Sequence, residues 1–212
     1  MNKLWRSSKT IETNDPAGRY LVRRIGLTSF PPCLRTAYNV RYQSDCPSFH
    51  PAMIAMVTGQ DGAPSTLHRT YLTDDGRKAP VIEPRRLMPG NIAKAAAIRL
   101  GPAGDVLGIA EGIETALSAS ALFGVPCWAA VSAAMLAAWQ PPPEARRIII
   151  FGDNDSSYAG QAAAYALAQR LRSDERVIEV QIPAEVGTDW NDVHQLRLNR
   201  AEPRDQAWAT HG

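Results

Sequence analysis

The chain has 212 residues and a formal charge of +2 at pH 7, enough length for one large domain or two small ones with cores of their own. Three cysteines without a Cys-x-x-Cys pair argue against a disulfide framework or a standard zinc site. No apolar run approaches the roughly 18 residues of a membrane span, and no Gly-x4-Gly-Lys-Ser/Thr loop is present, which excludes a self-contained P-loop ATPase; a soluble protein of a reducing, cytoplasmic compartment is expected.

Residues 1–50, with Pro16, Pro31, Pro32, Pro47 and scattered Arg, carry little pattern beyond a short helix over Tyr20–Leu27 closed by Gly26. From Pro51 the signals sharpen. Met53–Thr58 reads as a strand and Gly59–Gly62 as a turn. Thr66–Leu72 reads as a returning strand with Leu67, Arg69 and Tyr71 on one face, so His68 lies on the other. Asp74-Asp75-Gly76 supplies a second turn, and a small antiparallel sheet follows from these signals.

After Gly101-Pro102 strands and helices alternate. Strands are predicted at Val106–Ala110, Pro126–Val131, Arg147–Phe151 and Arg176–Ile182. Helices are predicted at Ile113–Phe123, Ala133–Gln140 with Ser132 as N-cap, Ala159–Arg172 and Trp190–Leu198. Four strands alternating with helices make βαβ units and a four-stranded parallel sheet flanked by helices. The fold class is therefore α/β: a smaller basic N-terminal α+β subdomain with antiparallel strands (1–100), a parallel-sheet domain (101–200) and a C-terminal tail (201–212). The charge divides the same way. Residues 1–100 carry 15 Lys and Arg against 7 Asp and Glu, and residues 101–212 carry 8 against 14. This suits a polyanion held by one half and metal-dependent chemistry in the other.

In an open parallel sheet the C-terminal ends of the strands line one edge, so acids at successive strand ends converge. Glu111 follows the first strand, and Asp153 and Asp155 follow the third. Oxygen-rich clusters of this kind suit Mg²⁺ or Mn²⁺. Asp189 and Asp192 follow the fourth strand; Asp189 is also well placed to cap the last helix, and sequence leaves open which of the two belongs with the other acids. Glu114, on the first turn of its helix, is read as structural, favoured there by the helix dipole.

Glu111-Gly112-Ile113-Glu114-Thr115-Ala116 followed by Asp153-Asn154-Asp155 resembles the Toprim domain of primases, topoisomerases and some nucleases. Thr188-Asp189-Trp190-Asn191-Asp192 is similar to the acidic segment after the fourth strand in phage primases. Together with His68-Arg69-Thr70-Tyr71-Leu72, the wording resembles the primase-like Toprim proteins of phages, plasmids and mobile elements, over roughly residues 50–195. The resemblance implies a DNA primase-like nucleotidyltransferase core that makes short primers on single-stranded DNA from NTPs; primase-family proteins usually begin with a zinc-binding module that reads template, and this sequence departs from them in showing none of its own. Glu111, Asp153 and Asp155 would be catalytic, and these with Asp189 and Asp192 would bind Mg²⁺ or Mn²⁺. Arg69, Arg85 and Arg86 would contact NTP or template phosphates, and a helicase or a zinc-binding template reader would be the partner. The same residues leave two alternatives: a Toprim nuclease, and a noncatalytic nucleic-acid-binding or regulatory module derived from a primase.

Overall fold

A computed structural model describes residues 3–172 and 175–201; of the tail expected over 201–212, residues 202–212 lie outside the described residues. The N-terminal half contains α1 (Lys3–Ser7), α2 (Pro16–Ile25) and five strands: β1 (Lys9–Thr10), β2 (Leu34–Tyr42), β3 (Ser48–Thr58), β4 (Pro64–Tyr71) and β5 (Arg85–Leu87). These strands form an antiparallel sheet in sequential order. The second half contains β6 (Val106–Ala110), α3 (Ile113–Phe123), β7 (Cys127–Ala129), α4 (Ala133–Ala138), β8 (Arg147–Phe151), α5 (Ala159–Leu171), β9 (Val177–Gln181) and α6 (Trp190–Ala201). Its sheet has the order β7-β6-β8-β9, with every pair parallel. The α/β architecture expected from the sequence is the architecture observed.

The departures from the sequence reading have local causes. Helix α2 begins four residues earlier than expected, because Asp15 accepts the Gly18 amide at 2.8 Å and Pro16 occupies the first turn, where its missing N–H costs nothing. Strand β2 was not expected. Its alternation is interrupted by a register shift between Ala37 and Val40, with Asn39 at φ 56°, so polar residues fall out of step with the apolar ones. Strand β7 is shorter than predicted, since Val131 turns to φ 79° before Ser132 caps α4.

Three apolar clusters hold these layers. One lies on the far face of the antiparallel sheet around Trp5, Ile54, Leu67 and Tyr71. A second joins the parallel sheet to α4 and α5 through Leu107, Ile109, Ile148, Ile150 and Leu167, with Trp128 and Trp139 edge to face. The third belongs to both halves. Tyr20, Leu21 and Ile25 of α2 and Met53, Ala55 and Val57 of β3 pack in the same cluster as Ile113 and Ala116 of α3, Phe151 of β8 and Trp190. Each large aliphatic or aromatic side chain so buried stabilises by about 1.5–3 kcal/mol, and here that gain requires both halves. The segment between the sheets is stitched to each of them: Ala97 exchanges backbone hydrogen bonds with Thr58, and Ile98 with Ala129.

Candidate active site

A cavity of about 320 Å³ opens between the C-terminal edge of the parallel sheet and the β4–β5 side of the antiparallel sheet. Its acidic wall is built on four strand-end loops that are tied together in two pairs. The Val131 amide donates to the Glu111 carbonyl oxygen at 2.7 Å, joining the loop after β7 to the loop after β6. The Asn154 amide donates to the Thr188 carbonyl oxygen at 3.0 Å, and the Gly187 amide to the Asn154 carbonyl oxygen at 2.6 Å, joining the loops after β8 and β9. Glu111, Asp153 and Asp189 all line the cavity as a result.

These three acids are held where charge is unfavourable. Burial, and then the charges of Asp189, Glu111 and Asp155, push the Asp153 carboxyl up to about 7, with Arg85 opposing. Its Oδ1 is buried without a hydrogen-bond partner. Burial likewise raises Glu111, against Arg85, and raises Asp189.

Asp155 and Asp192 are placed differently. Asp155 Oδ1 accepts from the Ser157 amide and hydroxyl and from the Ala159 amide, and Oδ2 accepts from the Gly160 amide at 2.8 Å. Those bonds, the Ser157 hydroxyl first, hold its pKa low. Asp155 therefore caps α5 and does not line the cavity. Gly160 is needed for this approach, because a Cβ there would stand 2.8 Å from the Asp153 carbonyl oxygen. Asp192 and Asp189 form a reciprocal box at the start of α6: the Asp189 amide donates to Asp192 Oδ2 at 3.1 Å and the Asp192 amide to Asp189 Oδ1 at 2.9 Å. Of this pair, Asp189 faces the cavity.

The three arginines singled out in the sequence also separate. Arg85 reaches the cavity, its guanidinium half exposed and 3.7 Å from Glu114. Arg86 contributes to the wall, but its guanidinium stacks on Tyr42 and donates to the Tyr42 hydroxyl and the Gln43 carbonyl oxygen. Arg69 donates to the Leu87 carbonyl oxygen and lies over Tyr71, on the opposite face of β4 from His68, which does line the cavity.

Glu114, read from the sequence as structural, is tied to more than its own helix. It is 4% exposed, lines the cavity, and accepts a hydrogen bond from the Tyr20 hydroxyl of α2. Burial alone would raise its pKa; Arg85, then Lys78 and the Tyr20 hydroxyl, hold it low instead. Lys78, which sequence reasoning missed, is partly buried on the Tyr20 side and feels the charges of both Glu114 and Asp189. No local signal could have found these partners, since Tyr20 and Glu114 are 94 positions apart.

Among the described residues, no three His, Cys, Asp or Glu side chains are grouped so as to hold a metal ion. The donor chemistry nevertheless fits a hard divalent cation: acids from three loops line the cavity, and a buried carboxylate oxygen lacks a partner that a cation would provide.

Comparison with known proteins gives two family matches, a Toprim domain over residues 106–200 and a domain of unknown function, DUF7146, over residues 1–100. No curated protein matches the chain in sequence. Among solved structures, the primase fragment of the bacteriophage T7 primase-helicase protein is similar with a TM-score of 0.51 at 18% identity, covering 76% of this chain and 62% of that one. The DnaG primase catalytic domain bound to ssDNA gives 0.51 at 14% identity, covering 91% and 59%. The RNA polymerase domain of Mycobacterium tuberculosis primase DnaG gives 0.50 at 16%, covering 87% and 74%. The chain thus spans less than two thirds of the first two, and at these identities the likeness is one of fold.

Proposed function

From the premise that this chain is a Toprim-domain protein resembling primase catalytic cores in fold, we propose that it is a divalent-metal-dependent, primase-like nucleotidyltransferase core acting on single-stranded DNA and NTPs. The observation that carries the proposal is the cavity itself, with Glu111, Asp153 and Asp189 on one wall and Arg85 supplied by the other half. One of the catalytic domains it resembles was solved bound to ssDNA.

In this reading a 3′-hydroxyl displaces pyrophosphate from the α-phosphate of an NTP. Asp153, Asp189 and Glu111 are the residues that would hold Mg²⁺ or Mn²⁺, which would neutralise the phosphates and stabilise the in-line displacement. Glu111, its pKa raised by burial, is suited to take the proton from the attacking hydroxyl. Arg85 pairs with phosphate in a fork geometry, and its contact with Glu114 fixes where that fork stands. Asp155 acts through the backbone by capping α5 and fixing the loop that carries Asp153. A helicase or a zinc-binding template reader is the partner this activity would call for.

A second reading, a noncatalytic module derived from a primase, is favoured by the absence of a ready three-carboxylate metal cluster among the described residues. One assay separates the readings. The protein is incubated with single-stranded DNA, labelled NTPs and Mg²⁺ or Mn²⁺, and the products are sized on a gel. Extension products are expected; shortened DNA would mark a nuclease instead, and unchanged but retarded DNA the noncatalytic module.

A further inference from the structure

His68 is a buried polar group for which the rest of the fold has found no use. It is 6% exposed, lines the cavity from β4, and its Nδ1 is sealed from solvent without a hydrogen-bond partner. Strand pairing sets it beside Ala55 and Leu87, neither of which offers a side-chain acceptor. The charged groups nearest in effect are Glu114, Arg85 and Arg69; burial outweighs them and pushes the imidazole down to about 4, so the ring is neutral at working pH. A buried polar group left unmatched costs about 1–3 kcal/mol, and leaving a buried N–H orphaned is rarer than leaving a lone pair so. The tautomer consistent with this places the proton on Nε2 and leaves the lone pair on the sealed Nδ1. His68 therefore presents an uncharged donor within a cavity whose other polar side chains, the Thr115 hydroxyl apart, are charged.

That contrast indicates what it meets. Phosphates would be met by Arg85 and by the cations that Glu111, Asp153 and Asp189 would hold, whereas a neutral donor suits a neutral oxygen. Among the described residues no Phe, Tyr or Trp lines the cavity, so a nucleobase would find none of these rings to stack on there. We propose that His68 is the group that recognises the nucleotide sugar, donating from its imidazole to a ribose hydroxyl of the bound NTP. The proposal rests on the nucleotidyltransferase reading above and names the part of the substrate that this corner of the cavity reads.

The test uses the full chain with Mn²⁺ and measures binding of ATP, 2′-deoxy-ATP, 3′-deoxy-ATP and inorganic triphosphate. The wild type should bind ATP about 5–10-fold more tightly than one of the two deoxy analogues, the size expected of one neutral hydrogen bond. His68→Leu should abolish that preference and leave triphosphate binding unchanged, while His68→Gln, which keeps a neutral donor, should restore part of it. His68→Leu should also melt no lower than wild type, since it removes an unmatched polar group. Equal wild-type affinity for all three nucleotides would overturn the proposal, as would a His68→Leu variant that loses triphosphate and ATP binding alike. A wild type that binds no nucleotide would overturn the underlying reading as well, whereas primer synthesis with an unaltered ribose preference in His68→Leu would sink the sugar contact alone.

Discussion

Asp153 is an acid whose ionisation works against the fold. Its carboxyl titrates near 7 in the native protein against about 3.8 in an unfolded chain, so the native state holds a proton that the unfolded state has released between those values. Below about pH 4 both states are protonated and the residue is neutral in effect; as pH rises toward 7 stability is lost, and above 7 the full penalty remains. Asp153→Asn should therefore raise the melting temperature at pH 8, with the difference vanishing near pH 4. Mg²⁺ or Mn²⁺ should raise the wild-type melting temperature at pH 8 and do so less in the variant. A melting temperature that fell at pH 8 would identify Asp153 as a structural cap.

Glu111 tests chemistry rather than folding. Glu111→Gln keeps the size and loses the charge, so primer synthesis should drop by roughly 10²–10⁴ while retardation of single-stranded DNA changes little. Full activity at saturating Mg²⁺ would remove Glu111 from the mechanism. These two acids were legible in the sequence because each ends an apolar strand. The different fate of Asp155 was not, because a carboxylate four residues past a strand and four before a helix can face the cavity or cap that helix, and the local pattern that commits it to Ser157, Ala159 and Gly160 suits both roles.

At the scale of elements, α6 shows how one short motif divides its labour. Asp189 faces the cavity and caps the helix, Trp190 packs edge to face on Phe123 and Phe151, and Asp192 closes the box. Asn191, 0% exposed, donates to the Arg24 carbonyl oxygen and the Ser118 hydroxyl, both at 2.9 Å, and the His194 ring meets the Ile25 carbonyl oxygen at 2.9 Å. Residues of α6 thus satisfy the last carbonyls of α2, which no intrahelical donor can reach. Asp192→Ala should cost about 1 kcal/mol, the usual worth of a cap. Asn191→Ala should cost more, about 2–3 kcal/mol, by leaving buried groups unmatched. Denaturant unfolding would measure both, and an Asn191→Ala cost no larger than that of Asp192→Ala would refute the clamp. The existence and type of every element after residue 101 could be read from periodicity and caps. The α2–α6 contact could not, since Arg24 and Asn191 are 167 positions apart.

Across the whole molecule the basic half should dominate binding to DNA, with affinity falling steeply as salt rises. Arg85→Ala should lower the slope of log affinity against log salt by about 0.7, the value of one phosphate contact on a single strand. Arg69→Ala, whose guanidinium is committed to Leu87 and Tyr71, should leave the slope unchanged; equal effects would show that both arginines reach the strand. The charge asymmetry announced these halves plainly, but nothing in the sequence announced that they share a core. A fragment of residues 101–212 would expose Ile113, Ala116 and Trp190, which pack in that common cluster, and should show no cooperative thermal transition. A sharp transition like that of the full chain would mean the parallel sheet folds alone.

The joint core also gives the molecule a vulnerable moment during its own synthesis. The N-terminal half leaves the ribosome first, at about 5–20 residues per second, with Tyr20, Leu21, Ile25, Met53 and Val57 still waiting for α3 and Trp190. For those seconds the nascent chain shows water an apolar face beside a basic one, and the face is covered only when a segment more than 130 residues downstream of Met53 arrives. Slow translation between Arg99 and Trp190 should therefore lower the yield of native protein even though every completed chain has the same sequence.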